Sequence, residues 1–209
     1  MVKRYGIVLM LILAVIIFIS IGCNSVNSHN KVAYISANDN SEYENTFKEL
    51  NLGFLLDYNF KLLNADNSWV SIWLEAYSNG KPIEPFHLME LSYGLSPKQV
   101  EEGPIGFGII DSNNKEKLLF LYSPYGKVGP HSIERDLFVE SGINMWDYAI
   151  GSGKIGLESG QELVLGVYRQ AEESLRTYDY QNLDSINQMI NEDTTVILLK
   201  IRVDEKSEL

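Results

Sequence analysis

Residues 69–80, WVSIWLEAYSNG, decide the fold. Alternate side chains here are apolar, with Val70, Ile72, Leu74 and Ala76 on one side and Trp69, Ser71, Trp73, Glu75 and Tyr77 on the other. A repeat of two marks an extended strand whose successive side chains point to opposite faces, one of them toward a core. Asn79-Gly80 then supplies the positive φ that a two-residue hairpin turn demands, so the chain reverses into a further run over 83–93.

The same pattern recurs in both directions. Upstream, Phe54, Leu56, Tyr58, Phe60 and Leu62 alternate with residues that include Asp57, Asn59 and Lys61, and Asn64-Ala65-Asp66-Asn67 makes the turn into the next strand. Downstream, residues 105–110 and 117–122 flank the hairpin signal Asp111-Ser112-Asn113-Asn114. Runs over 154–158 and 162–169 are parted by Ser159-Gly160, and a β-branched and leucine stretch over 194–203 closes the series. Helical periodicity is confined to 183–191, where Leu183, Ile186, Met189 and Ile190 share a face behind Asn182 as N-cap. Strands without crossover helices predict a mainly β protein, an antiparallel two-layer β-sandwich with one short helix near the C-terminus. Residues 123–150, with their Gly and Pro, are expected to form a long surface loop.

The N-terminus carries a different signal. Lys3 and Arg4 precede an uncharged stretch from Tyr5 to Gly22 with an apolar heart at 7–19, and Cys23, the only cysteine of 209 residues, stands where it ends. That is the pattern of an export signal, whose apolar region runs about 7–15 residues. Ser20-Ile21-Gly22-Cys23 resembles the lipobox of bacterial lipoproteins, with Ser20 where that pattern usually has Leu. The resemblance covers residues 1–23. It implies a Gram-positive lipoprotein: residues 1–22 a signal peptide, Cys23 the lipid attachment and mature N-terminus, and the chain held to the outer face of the cell membrane. Two acyl chains suffice for stable attachment where one is marginal. The alternative is an uncleaved signal anchor, since 18 uncharged residues lie at the lower edge of the about 17–25 that cross a bilayer. Both place the following chain outside the cell, with Lys3 and Arg4 inside.

Asn and Ser dominate residues 24–42, which read as a flexible tether interrupted by Val32-Ala33-Tyr34-Ile35, a candidate first strand. The partition is therefore signal peptide 1–22, lipidated N-terminus and tether 23–42, and a single β-rich extracytoplasmic domain 43–209. Without residues 1–22 the 17 Lys and Arg become 15 against 28 acids, a net charge of about −13. Such a surface repels phosphate, which excludes nucleic acid as partner and leaves membrane attachment to the lipid. With Cys23 acylated no disulfide can form, so stability rests on a core, and 45% hydrophobic residues supply one.

Catalytic and cofactor signatures fail on their context. Gly151, Gly153 and Gly156 satisfy G-x-G-x-x-G, yet strand and turn follow where a phosphate-binding helix would be needed. His29, His87 and His131 are scattered, and His87 and Glu90 would point to opposite faces of a strand, so no metal and no cofactor is expected. Asp66, Asn67, Asp111 and Asn113 suit turns better than calcium. Carboxylates such as Glu75, Glu84, Glu90 and Glu134 keep open an envelope hydrolase with an acid–base pair. The positive binding signal is aromatic: Trp69, Trp73 and Tyr77 form a ladder able to stack on sugar rings or anchor a protein, unless both faces of the strand are covered. The expectation is a non-catalytic binding module with an envelope protein or glycan as partner.

Overall fold

The computed structural model describes residues 31–112, 116–133, 137–139 and 142–206. Cys23 and His29, Asn113 and Asn114 of the expected turn, and Glu134 lie outside them. In chain order the elements are β1 (Lys31–Ala37), α1 (Glu42–Glu49), β2 (Gly53–Leu62), β3 (Ser68–Ser78), β4 (Lys81–Pro82), β5 (Met89–Gly94), β6 (Glu101–Asp111), β7 (Lys117–Ser123), β8 (Gly126–Ser132), β9 (Ile143–Tyr148), β10 (Ile155–Glu158), β11 (Glu162–Ala171), α2 (Leu183–Glu192) and β12 (Thr195–Glu205).

The strands form two antiparallel sheets packed face to face. The first runs β10-β1-β2-β6-β7-β8, and the second β4-β3-β12-β11-β9 with β5 also on β3. The alternation of the 69–80 stretch sets the packing: Val70, Ile72, Leu74 and Ala76 are buried and meet Ile197, Leu199, Ile201 and Val203 of β12 within one core. Phe54, Leu56, Tyr58, Phe60 and Leu62 enter that core from β2, with Ile105, Phe107 and Ile109 of β6 and Leu119 and Leu121 of β7. The Tyr58 hydroxyl donates to the Leu165 carbonyl at 2.7 Å, tying one sheet to the other. A Cβ at Gly166 would lie 2.6 Å from that hydroxyl and 2.4 Å from Leu56 Cδ1, so the close approach of the sheets requires glycine there.

The C-terminal helix follows its expected bounds. Asn182 caps α2, its side chain accepting from the Ser185 N–H, and Ile186, Met189 and Ile190 are buried against Val164, Val167, Val196 and Leu198 on the outer face of the second sheet. Leu183 stays exposed, because the stripe that meets the sheet begins one turn later. Arg169 is wholly buried beneath this layer, its Nε donating to Asp193 Oδ2 at 2.5 Å and its guanidinium over the Tyr178 ring.

Four expectations are corrected. The candidate strand 32–35 is present as part of β1, but it is hydrogen-bonded on both edges, to β10 and to β2, so the domain begins before residue 43 and the tether does not run to 42. Residues 42–49 form α1, capped by Ser41 Oγ accepting from the Glu44 N–H and closed by bonds from Asn51 N–H to the Lys48 carbonyl and Leu52 N–H to the Phe47 carbonyl, with Asn51 at φ 51°. The 123–150 loop contains two strands, β8 and β9. Both lie at sheet edges, where one partner's hydrogen bonds hold a polar strand and Pro130 is tolerated. The 83–93 run is strand only from Met89, in β5, with the short β4 lying before it, since Pro82 and Pro85 cannot donate to a continuous ladder.

Candidate functional site

The expected aromatic ladder is not an open face. Trp69 is 45% exposed, but Trp73 is only 3% exposed. The Trp73 indole lies beneath the His87 ring, 5.1 Å between centroids at 27°, and its Nε1–H donates to Glu75 Oε1 at 2.9 Å. Tyr77 donates to Glu75 Oε2 at 3.0 Å, and Lys200 Nζ reaches Glu75 Oε1 at 2.9 Å. Glu75 is thus a buried carboxylate with every near donor satisfied, and Trp73 and Tyr77 hold it in place. His87 and Glu90, expected on opposite faces, meet at 2.7 Å, because His87 precedes β5 and its backbone is not extended. That bond holds the Glu90 carboxyl below its ordinary value, with Ser92 assisting.

A groove of about 780 Å³ lies instead on the outer face of the first sheet. Strand register builds it in rows. Tyr34 pairs with Lys61 and Lys61 with Glu102; Ser36 pairs with Asn59 and Asn59 with Pro104. Each row crosses β1, β2 and β6, and these side chains share the face turned away from the core. Lys61 and Glu102 form an ion pair within their row. That pair, then Lys154, draws the exposed Glu102 carboxyl below its ordinary value. Ser41, Glu42 and Tyr43, at the start of α1, close one end of the groove.

Its floor is Asp57, 1% exposed. Asp57 Oδ1 accepts from the Tyr122 hydroxyl at 2.6 Å and Oδ2 from Asn38 Nδ2 at 2.8 Å. Tyr122 reaches it by lying across Gly106, where a Cβ would stand 2.5 Å from the phenol oxygen and 2.3 Å from the Leu56 carbonyl oxygen. Beyond the end of β1, the Asp57 N–H donates to the Tyr148 hydroxyl at 3.0 Å, which donates to Glu44 Oε2 at 3.1 Å. Glu44 also accepts from the Asn40 N–H at 2.8 Å and pairs with Lys48 at 2.6 Å. Helix α1 is fastened to the sheet by this chain and by the Phe47–Phe120 and Tyr43–Tyr122 ring contacts. Burial first, then the Asp57 carboxylate, raises the Tyr122 phenol far above its ordinary value; burial raises Tyr148 as well, with Glu44 adding to it. Both phenols therefore remain donors.

Alternation had marked Asp57, Asn59 and Lys61 as outward but not as joint walls of a cavity. Gly151 and Gly153 precede strand β10, and Gly156 lies within it. Among the described residues, no group of three or more His, Cys, Asp or Glu is arranged to hold a metal, and no helix is long and apolar enough to cross a membrane. No protein-family model, curated protein or solved structure matches the chain.

Proposed function

We propose that this chain is a lipid-anchored, extracytoplasmic binding module, held to the cell membrane through Cys23, whose ligand seats in the outer groove of the first sheet. The observation that carries the reading is the groove itself: about 780 Å³, inside the range of about 300–1,000 Å³ usual for ligand clefts, on a rigid sheet with a hydrogen-bonded carboxylate as its floor. The lipobox-like 20–23 segment supports the anchoring.

The carboxylates favour binding over hydrolysis. A glycosidase-type pair needs one carboxyl kept protonated by a raised pKa and another free to act as base or nucleophile. In this groove Glu102 is pulled the opposite way by Lys61, and each oxygen of Asp57 already accepts from a protein donor. Neither is poised for proton transfer.

Titrating the full chain, isotope-labelled and in detergent, with solubilised envelope polymers tests the reading by amide shift mapping. Shifts should cluster on Tyr34, Ser36, Asn59 and Lys61. Shifts confined to the Trp69 face, or none, would remove the groove as the site. Mass spectrometry of natively produced protein should find a thioether-linked diacylglyceryl group on Cys23, and an unmodified thiol in cytosolic protein would refute the anchor.

A further inference from the structure

We infer that the groove receives an uncharged, hydroxyl-rich ligand, namely a sugar ring of an envelope glycan. This rests on the groove being the binding site and adds the class of ligand. The first reason lies in the floor. An ionised carboxylate offers about four acceptor positions, and Asp57 has one donor on each oxygen, Tyr122 and Asn38, leaving about two positions open. Asp57 is almost wholly buried and borders only the groove, so what can reach those positions is a small group that donates hydrogen bonds. Ligand donors of that kind are hydroxyls or ammonium groups.

The rim decides between them. Lys61 and Lys154 line the groove, with Lys154 near enough to act on Glu102, so an incoming cation meets both. An anion would meet Asp57, Glu42 and Glu102. Two cations against three carboxylates, interleaved rather than segregated and with Lys61 already paired to Glu102, give neither sign a strong net attraction and leave the neutral donor as the fitting ligand. Asn38, Ser41 and Asn59 add groups that can both donate and accept, which suits hydroxyls, themselves both donor and acceptor. Tyr34, half-buried on β1, and Tyr43, exposed at the start of α1, bring flat ring surfaces against which the C–H face of a sugar can pack at little entropic cost.

The test applies the full chain in detergent to an array of neutral oligosaccharides built from glucose, galactose and N-acetylglucosamine, with lysine-rich and glutamate-rich peptides as charged controls. Binding to at least one saccharide is expected, and it should be insensitive to salt between low and high ionic strength, because no net charge is neutralised. Tyr34→Ala should weaken it about tenfold, the equivalent of one lost ring contact. Asn59→Trp, at an exposed position, should block the groove and abolish binding without altering the unfolding midpoint; if it does alter the midpoint, Lys61→Trp from the neighbouring row replaces it. No saccharide binding, or saccharide binding that survives the groove-filling variant, overturns the inference. Groove-dependent, salt-sensitive capture of a charged peptide would overturn the sugar while leaving the groove as the site. Envelope-polymer binding that the filled groove does not affect would remove the groove itself.

Discussion

Replacing Trp73 by alanine separates a structural ring from a ligand-binding one. Trp73 is 3% exposed, beneath His87 and bonded to Glu75, so its removal deletes a large buried side chain and one of the donors that satisfy a buried carboxylate. Truncations of that size cost about 3–5 kcal/mol, against a total stability on the order of 5–15 kcal/mol for a domain. With a urea slope of about 2 kcal/mol per molar, the midpoint should fall by about 2 M. Trp69→Ala, at an exposed ring, should move it by about 0.5 M or less. Trp73→Phe keeps most of the volume and loses the N–H, so it should fall between the two, about 1–2 kcal/mol below wild type. Far-ultraviolet circular dichroism in urea is the suitable probe, since it does not depend on the tryptophan being replaced. If Trp73→Ala unfolds at the same urea concentration as Trp69→Ala while losing ligand capture, the ring is an exposed recognition element and the burial argument fails.

Two further outcomes follow from buried polar groups. Asp193→Ala should strand the Arg169 guanidinium inside the domain and cost about 3–5 kcal/mol, whereas the double replacement Arg169→Met with Asp193→Leu should recover much of that; equal losses in urea unfolding would show that the pair is solvated. Tyr58, Tyr122 and Tyr148 have phenol pKa values raised chiefly by burial, so their contribution to stability is complete below pH about 10, the unfolded value, and is lost as pH rises from there toward the folded values. Phenolate absorbance should therefore lag in the native protein behind the protein in denaturant, and titration of all 12 tyrosines near pH 10 with the fold intact would contradict it.

Periodicity was a reliable guide wherever one face of a strand is buried and the other is wet. In β3 and β2 the alternate apolar positions identify the core directly, since a one-residue slip would turn the whole set to solvent. Periodicity is silent where burial is not the cause of structure. β8 (GKVGPHS) has no fully buried residue and exists because β7 offers it a ladder of hydrogen bonds. Helix α1 (EYENTFKE) carries just two aromatic residues, Tyr43 and Phe47 at spacing four, too few for an amphipathic stripe. Its legible mark is local, the Ser41-x-x-Glu44 spacing of a capping box, which lies inside the stretch that composition assigns to a tether. Here the Glu44 carboxylate bonds to the Asn40 N–H, one residue before the cap, and so remains able to meet Tyr148.

The groove was less legible still, for a reason that lies in register. Tyr34, Lys61 and Glu102 are far apart in sequence and become neighbours only because β2 lies between β1 and β6 with those residues paired. Each, taken alone, is an ordinary outward residue, and sixfold strand order cannot be read from alternation, which says which way a side chain points but not what stands beside it. One indirect trace exists. Gly106 and Gly108 interrupt an otherwise apolar strand, where glycine weakens pairing and implies that something must come close. What comes close is Tyr122 over Gly106 and Phe120 over Gly108, rings that Leu119 and Leu121 force outward by occupying the core face. The alternation that buries those leucines therefore also carries the Tyr122 hydroxyl across the sheet to Asp57, so that core packing and the polarity of the groove floor follow from the same strand register.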